Sequence, residues 1–322
     1  MKRIGLITAL AAAFLGAAAF GAWVYKGKWG SEGSGDGQFK LPSDVAVAAD
    51  DAVYVTDGNL DRVQYFTPNG SFLGKWGGRG SAAGQFKKPN GVAVAPNGNV
   101  YVTDGGNYRV QYFTKAGFFL GAWGSRGSSA GQFKEPYGVG VATNGNVYVT
   151  DAGNERVQYF NKSGTYLGGW GVSGSGVGEF KGPLGVAVAA DGTVYVADGG
   201  NHRVQYFTAK GTFLGSWGRS GSGDGEFRNP AGVAVARDKD VFVVDWFNHR
   251  VQYFTSGGSF LGKWGGQGSG NGQFQFPRGV AVSRDGERVY VADTANYRVQ
   301  YFVRSDPAVE PTSLGRVKAL FR

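Results

Sequence analysis

The chain has 322 residues, of which 33 are basic and 24 acidic, giving a formal net charge of +9 at pH 7. Fifty-eight glycines against 10 prolines place the glycine excess in turns, and 15% aromatic residues supply a core. The absence of cysteine excludes disulfides, thiolate metal sites and a catalytic thiol, and two histidines leave a poor inventory for acid–base or metal chemistry.

In chain order, Lys2 and Arg3 precede an uncharged run over residues 4 to 25, within which Ala17, Ala18 and Ala19 offer a small-x-small cleavage site. Residues 1 to 22 are therefore expected to be a signal peptide, and the protein to be exported, periplasmic or secreted. The competing expectation is an uncleaved anchor, because such a run at about 1.5 Å per residue spans a bilayer core of ~30 Å. Membrane contact is expected only through that segment. Between residues 23 and 302 the basic excess is only +5, an ordinary solubility charge that argues against nucleic acid as a partner.

From residue 23 the sequence repeats. Trp-Gly pairs begin at Trp29, Trp76, Trp123, Trp170, Trp217 and Trp264, every 47 residues. The string VQYF begins at Val63, Val110, Val157, Val204, Val251 and Val299, with one extra residue in the last interval, assigned to a turn around residues 285 to 288. Within the second unit, runs beginning at Gly91, Asn99, Arg109 and Gly117 are short, rich in valine and aromatics, and separated by Gly, Asn or Asp turns. That pattern predicts four antiparallel strands per unit and a propeller rather than a helical solenoid. No Trp-Gly strand follows Phe302, whereas residues 23 to 29 stand before the first unit in that register. The expected fold is therefore an all-β, six-bladed β-propeller over residues 23 to 302, its last blade closed by the N-terminal strand, which removes open sheet edges. Residues 303 to 322 are left as a tail, containing Pro307 and Pro311 and ending in a short basic stretch that reads as a frayed terminus or a membrane-surface helix.

NHRVQYF occurs at residues 201 to 207 and again at 248 to 254, each time after a VYVAD or VFVVD strand. With six in-register copies, the chain resembles the NHL-repeat family of six-bladed propellers. The first unit departs from the pattern, with Leu60 in place of the usual asparagine. The resemblance implies a propeller platform; such platforms include binding and sensor domains, RNA binders and a minority of metal-dependent lyases, so shape is better defined than function.

Residues identical in all six units are read as structural. Asp57, Asp104, Asp151, Asp198, Asp245 and Asp293 each precede Arg62, Arg109, Arg156, Arg203, Arg250 or Arg298 by five positions, and are expected to form bidentate, partly exposed clasps within each blade. The repeated tryptophans, and Phe39, Phe86, Phe133, Phe180, Phe227 and Phe274, are expected to pack between blades.

Candidate binding residues lie where the copies differ, on the face carrying the second-to-third-strand loops and the long interblade connections. The residues after each blade's proline, Ser43, Asn90, Tyr137, Leu184, Ala231 and Arg278, are expected to ring the mouth of the central channel. Trp246 and Phe247 replace pairs such as Gly105-Gly106 at a loop tip, an apolar choice that points to a partner contact or to packing on the adjacent connection. A basic residue follows the repeated phenylalanine in five units, at Lys40, Lys87, Lys134, Lys181 and Arg228, with Gln275 the exception and Lys88 beside Lys87; duplication of one ancestral lysine would give the same pattern. Preceding the repeated arginines are Asp61, Tyr108, Glu155, His202, His249 and Tyr297. Glu155, His202 and His249 form a candidate metal triad, although their placement outside the innermost strand sets them too far apart for ligands bonded at ~2.1 Å.

The sequence thus predicts an exported, monomeric, non-enzymatic propeller without cofactor. Its expected partner is a protein or anionic envelope polymer, bound through Trp246, Phe247, Tyr137, Arg278, Lys87 and Lys88. A metal-dependent lyase or hydrolase and a nucleic-acid-binding propeller are the alternatives.

Overall fold

A computed structural model describes residues 22 to 305. The expected signal peptide or anchor, up to residue 21, and the tail beyond residue 305 lie outside the described residues. Six four-stranded antiparallel sheets form the blades of a closed ring. In blade 1 the strands are Pro42–Val47, Val53–Asp57, Arg62–Phe66 and Phe72–Gly77, from the axis outward. The second strands are buried along their whole length except at Arg288 of blade 6, as expected of Val-Tyr-Val runs covered on both faces. The helical elements among the described residues are 3-10 turns of three residues.

The sixth blade is composite. Strand Trp23–Trp29 pairs antiparallel with Arg298–Arg304, with Trp23 opposite Arg304 and Trp29 opposite Val299. Ser305 N–H donates to the Ala22 carbonyl at 2.8 Å, tying the two ends of the described chain together. The extra residue of the last unit lies in the turn from Ser283 to Arg288, where Ser283 N–H reaches Arg288 O; in blade 1 the corresponding bond joins Ala48 to Ala52.

Aromatic packing crosses each blade boundary. Trp76 of blade 1 contacts Phe113 of blade 2 at 5.6 Å between ring centroids, and Phe86 contacts the same ring at 5.6 Å, a pattern repeated around the ring. A second staple is polar. The hydroxyls of Tyr54, Tyr101, Tyr148 and Tyr195 donate to carbonyls of Lys115, Lys162, Ala209 and Ser256 in the outer hairpin turn of the next blade, and Tyr290 closes the circle onto Pro68. Only blade 5 differs, with Phe242 at this position. Its neighbour, blade 6, takes its outer strand from the N-terminus and has no such hairpin turn, and the Trp23 ring meets Phe242 edge-on at 5.3 Å. A tyrosine there would bury a hydroxyl without that acceptor, so the apolar ring fits the seam.

Candidate functional site

The long-loop face is organised by the third strand of each blade. Each repeated arginine sends its terminal nitrogens to three backbone carbonyls of the long connection: Arg109 reaches Ser81, Ala82 and Gln85 at 2.9 Å. Two residues along, on the same strand face, Gln111 accepts from Gly84 N–H and donates to Gln85 O. The connections are thus held by side chains without helix or sheet of their own.

This geometry corrects the expected clasp. In five blades the carboxylate meets the guanidinium through Nε alone, at 2.7 to 3.1 Å, and the pair is not bidentate because the other arginine donors are used on carbonyls. The pairs are also largely buried, the aspartates fully and the arginine side chains no more than 18% exposed. In blade 1 the ion pair is missing. The asparagine of the other units bridges the aspartate and the connection, as Asn107 does between Asp104 and the Gly80 carbonyl. Leu60 has no such donor; Asp57 accepts instead from the N–H groups of Lys40, Leu41 and Leu60, and Arg62 Nε is buried without a partner. Burial raises the Asp57 carboxyl above its usual range and lowers the Arg62 guanidinium.

The position before each arginine is left-handed in all six blades, with φ between 52° and 57°. Its side chain governs the next blade boundary. Asp61 accepts from Lys88 N–H, Glu155 from Gly182, His202 Nδ1 from Asn229 and His249 Nδ1 from Phe276, at 2.5 to 3.1 Å. Each of those four donors is itself left-handed, Phe276 at φ +49° included. Where the position is Tyr108 or Tyr297, the equivalent donors Glu135 and Leu41 are not left-handed and turn to the aspartate of their own blade, Asp151 or Asp57. An acceptor pulls the connection across the boundary; a tyrosine leaves it at home.

Glu155, His202 and His249 are therefore occupied with backbone N–H groups in successive boundaries. They do not converge, and among the described residues no group of three or more His, Cys, Asp or Glu is placed to hold a metal ion. The residues do not fit a metal centre, and burial lowers the affinity of His249 for a proton.

At the axis, Ser43, Asn90, Tyr137, Ala231 and Arg278 line one narrow cavity of about 20 Å³, room for about one water. Leu184 is not among its lining residues. The constriction is made by close approach of inner strands: a Cβ at Gly91 would lie 2.6 Å from the Tyr137 carbonyl oxygen. The glycine column Gly91, Gly138, Gly185, Gly232 and Gly279 has one exception, Asp44, which the sequence reading passed over although the substitution is visible in the repeat. Asp44 accepts from Val45 N–H at 2.9 Å and, across the boundary, from Val92 N–H at 3.0 Å. Desolvation exceeds these bonds and raises its carboxyl to about 7. Desolvation likewise raises the Tyr137 hydroxyl, with Arg278 opposing.

Beside the mouth, Trp246 stacks on Phe247 at 4.7 Å and 12° between planes, Phe247 meets Phe276 edge-on at 6.0 Å, and the Arg278 guanidinium lies 4.9 Å from the Trp246 ring centre. Phe247 and Phe276 remain exposed. The loop tip therefore packs on the adjacent connection and still presents an apolar surface. Lys40, Lys87, Lys88, Lys134, Lys181 and Arg228 are exposed around the same face.

A closed ring of six four-stranded sheets defines a six-bladed β-propeller. Residues 86–113, 180–207, 227–254 and 274–302 match the NHL repeat, so the chain carries NHL-repeat motifs on that propeller. The first and third units lie outside these matches. A search of curated proteins gave no significant match. Among solved structures, the chain is similar to a streptogramin B lyase, at 15% identity and TM-score 0.63 over 90% of this chain and 100% of the other. It is also similar to a Xanthomonas campestris gluconolactonase, at 14% identity and TM-score 0.64 over 89% and 98%. A Bacteroides thetaiotaomicron protein of unknown function gives 18% identity and TM-score 0.66 over 86% and 76%. At these identities the likeness is one of fold, a fold that lyases and hydrolases also use.

Proposed function

We propose that the protein is an exported, monomeric, non-enzymatic binding propeller that engages an acidic protein or anionic envelope polymer through its long-loop face. The observation that carries this reading is the ring of exposed cations at five of six equivalent positions, Lys40, Lys87, Lys134, Lys181 and Arg228, interrupted at Gln275 and joined by Lys88. None takes part in an ion pair among the described residues. Unpaired like charges on one face repel each other and favour an anionic partner that neutralises several at once. Export follows from the N-terminal sequence, and it makes cytoplasmic nucleic acid a poor candidate.

The reading is tested by binding of the purified propeller to immobilised poly-L-glutamate and to a single-stranded oligonucleotide over a salt series. Affinity for poly-L-glutamate that falls with salt, and drops further in Lys87→Glu/Lys88→Glu, supports it. Equal affinity for both polymers would turn the assignment towards nucleic acid, and no salt-sensitive binding to either would overturn it.

A further inference from the structure

We infer that Arg278, held on Trp246 at the channel mouth, receives the carboxylate of an acidic peptide segment whose neighbouring apolar side chain lies on Phe247 and Phe276. This rests on the long-loop face being the binding surface, and it names the site and the recognised group.

Three departures from the repeat meet at one blade boundary. Positions 246 and 247 carry small or polar residues in the other units, such as Ala152-Gly153 and Gly199-Gly200, and position 276 is Leu41, Lys88, Glu135, Gly182 or Asn229 elsewhere. Here all three are aromatic. The third is held at a cost: a phenylalanine at φ +49° is disfavoured by its own Cβ, and it stays there because His249 Nδ1 takes its N–H at 3.0 Å and its ring packs on the imidazole at 4.7 Å. The left-handed backbone is shared with Lys88, Gly182 and Asn229 at other boundaries; only here does it carry an exposed aromatic ring beside two others.

Arg278 is unlike the six repeated arginines. Those spend their terminal nitrogens on backbone carbonyls, whereas the Arg278 guanidinium makes no hydrogen bond or ion pair among the described residues, and its Nε, like that of Arg62, is buried without a partner. The Arg278 guanidinium carbon lies 4.9 Å from the Trp246 ring centre, and a planar guanidinium fork suits a carboxylate. The carboxyl lining the same mouth, Asp44, accepts one backbone N–H on each oxygen, from Val45 and Val92, and forms no ion pair with Arg278. With only about 20 Å³ inside the constriction, the ligand rests at the lip and does not thread the channel.

The surroundings favour a peptide over a sugar acid. Of the polar side chains at the mouth, Ser43 Oγ already donates to Leu41 O and Asn90 Nδ2 to Pro136 O, so ring hydroxyls would find few partners beyond the Tyr137 hydroxyl. The exposed faces beside the arginine are phenylalanines, suited to an apolar side chain. The unpaired lysines around the face complement an acidic segment.

The test uses the full propeller labelled with 5-fluorotryptophan, the Trp246 resonance being identified by its loss in Trp246→Phe. It is titrated with acetyl-Gly-Glu-Phe-Gly-amide and with the same peptide carrying Gln for Glu. The expected result is a saturable shift of the Trp246 signal with the glutamate peptide, at least about tenfold weaker with the glutamine peptide and in Arg278→Gln. Arg278→Lys should keep only part of the affinity, and Phe247→Ser, a change at an exposed side chain, should weaken both peptides. Equal affinity for the two peptides, or an Arg278→Gln protein that titrates like the parent, overturns the inference. If poly-L-glutamate binding still responds to Lys87→Glu/Lys88→Glu in that event, the carboxylate site falls and the binding face stands; if that response is absent too, both fall.

Discussion

His249 Nδ1 accepts the backbone N–H of Phe276 at 3.0 Å, 27 residues on and in the next blade, and Phe276 is left-handed in consequence. The same bond recurs at three further boundaries and is replaced at the two that carry a tyrosine, so a side chain at one position selects the backbone of its neighbour blade. Tyr108→Asp should convert the second boundary to the other type, moving the Glu135 N–H from Asp151 to residue 108. Glu135→Gly would then be stabilising by roughly 1 kcal/mol in the Tyr108→Asp background, because glycine relieves the positive φ, and neutral or unfavourable in the parent. Denaturant unfolding of the four proteins gives the sign of that coupling; additive effects would show that the boundary does not switch.

Acceptance at Nδ1 also makes the boundary sensitive to acid. Burial lowers the His249 pKa from its usual 6.5, so just below that value the unfolded chain holds more protons than the folded one. Stability from this residue is present above pH 6.5 and is lost as the pH falls through the lowered value. His249→Asn offers an amide oxygen as acceptor in place of Nδ1 and tolerates the left-handed backbone but cannot titrate there. Melting temperatures of the variant should therefore fall less than those of the parent between neutral pH and pH 5.

Asp44 acts with the opposite sign. Its folded carboxyl titrates at about 7 against 3.8 for the ordinary group, so between those values the folded state holds the extra proton and stability decreases as pH rises. Asp44→Gly restores the residue of the other five blades and removes the effect. The stability of Asp44→Gly relative to the parent should grow from pH 4 to pH 7 and level off above; a difference independent of pH would mean that the carboxyl titrates normally.

Much of this was legible in the repeat. The 47-residue period, with valine and aromatic runs between glycine turns, has one compact solution, and the missing final Trp-Gly strand points to closure by the N-terminus. The Phe242 exception in the tyrosine column, and the Asp44 exception in the glycine column, were equally readable. The boundary bonds were not. Asp61, Glu155, His202 and His249 stand in one column, but their partners are backbone groups in another blade, and spacing gives no sign of a backbone N–H. For the same reason the arginines looked like partners of the aspartates alone, when most of their donors serve a connection of glycine and serine.

The first blade offers a repair. Leu60→Asn would supply the missing donor between Asp57 and the Gly33 carbonyl, the pairing that Asn107 makes with Asp104 and Gly80. Asp57 could then turn to Arg62 Nε, now buried without a partner. One restored buried hydrogen bond is worth about 1 kcal/mol, which corresponds to a rise of about 2 °C in Tm for a domain of this size. A lower Tm would show that the Leu60 side chain contributes more by packing than the missing bond costs. Arg203→Lys tests the same clamp from the other side, and should destabilise nearly as much as Arg203→Ala because one ammonium cannot replace the guanidinium's contacts with Ser175, Gly176, Glu179 and Asp198.

The seam between blades 5 and 6 gives the sharpest contrast between identical substitutions read in opposite directions. Tyr195→Phe removes a hydroxyl bonded to the Ser256 carbonyl at 3.0 Å and should cost about 1 kcal/mol. At Phe242, the equivalent position, the Tyr variant adds a hydroxyl where the neighbouring blade has no hairpin turn and the Trp23 ring stands 5.3 Å away. Phe242→Tyr should therefore destabilise, by roughly 1 to 3 kcal/mol, although it restores the residue of the other five blades. Deleting the indole with Trp23→Ala should remove much of that penalty by opening the seam to solvent, so the two substitutions together should cost less than their sum. A Phe242→Tyr protein more stable than the parent would mean that the ring is not sealed by its N-terminal strand.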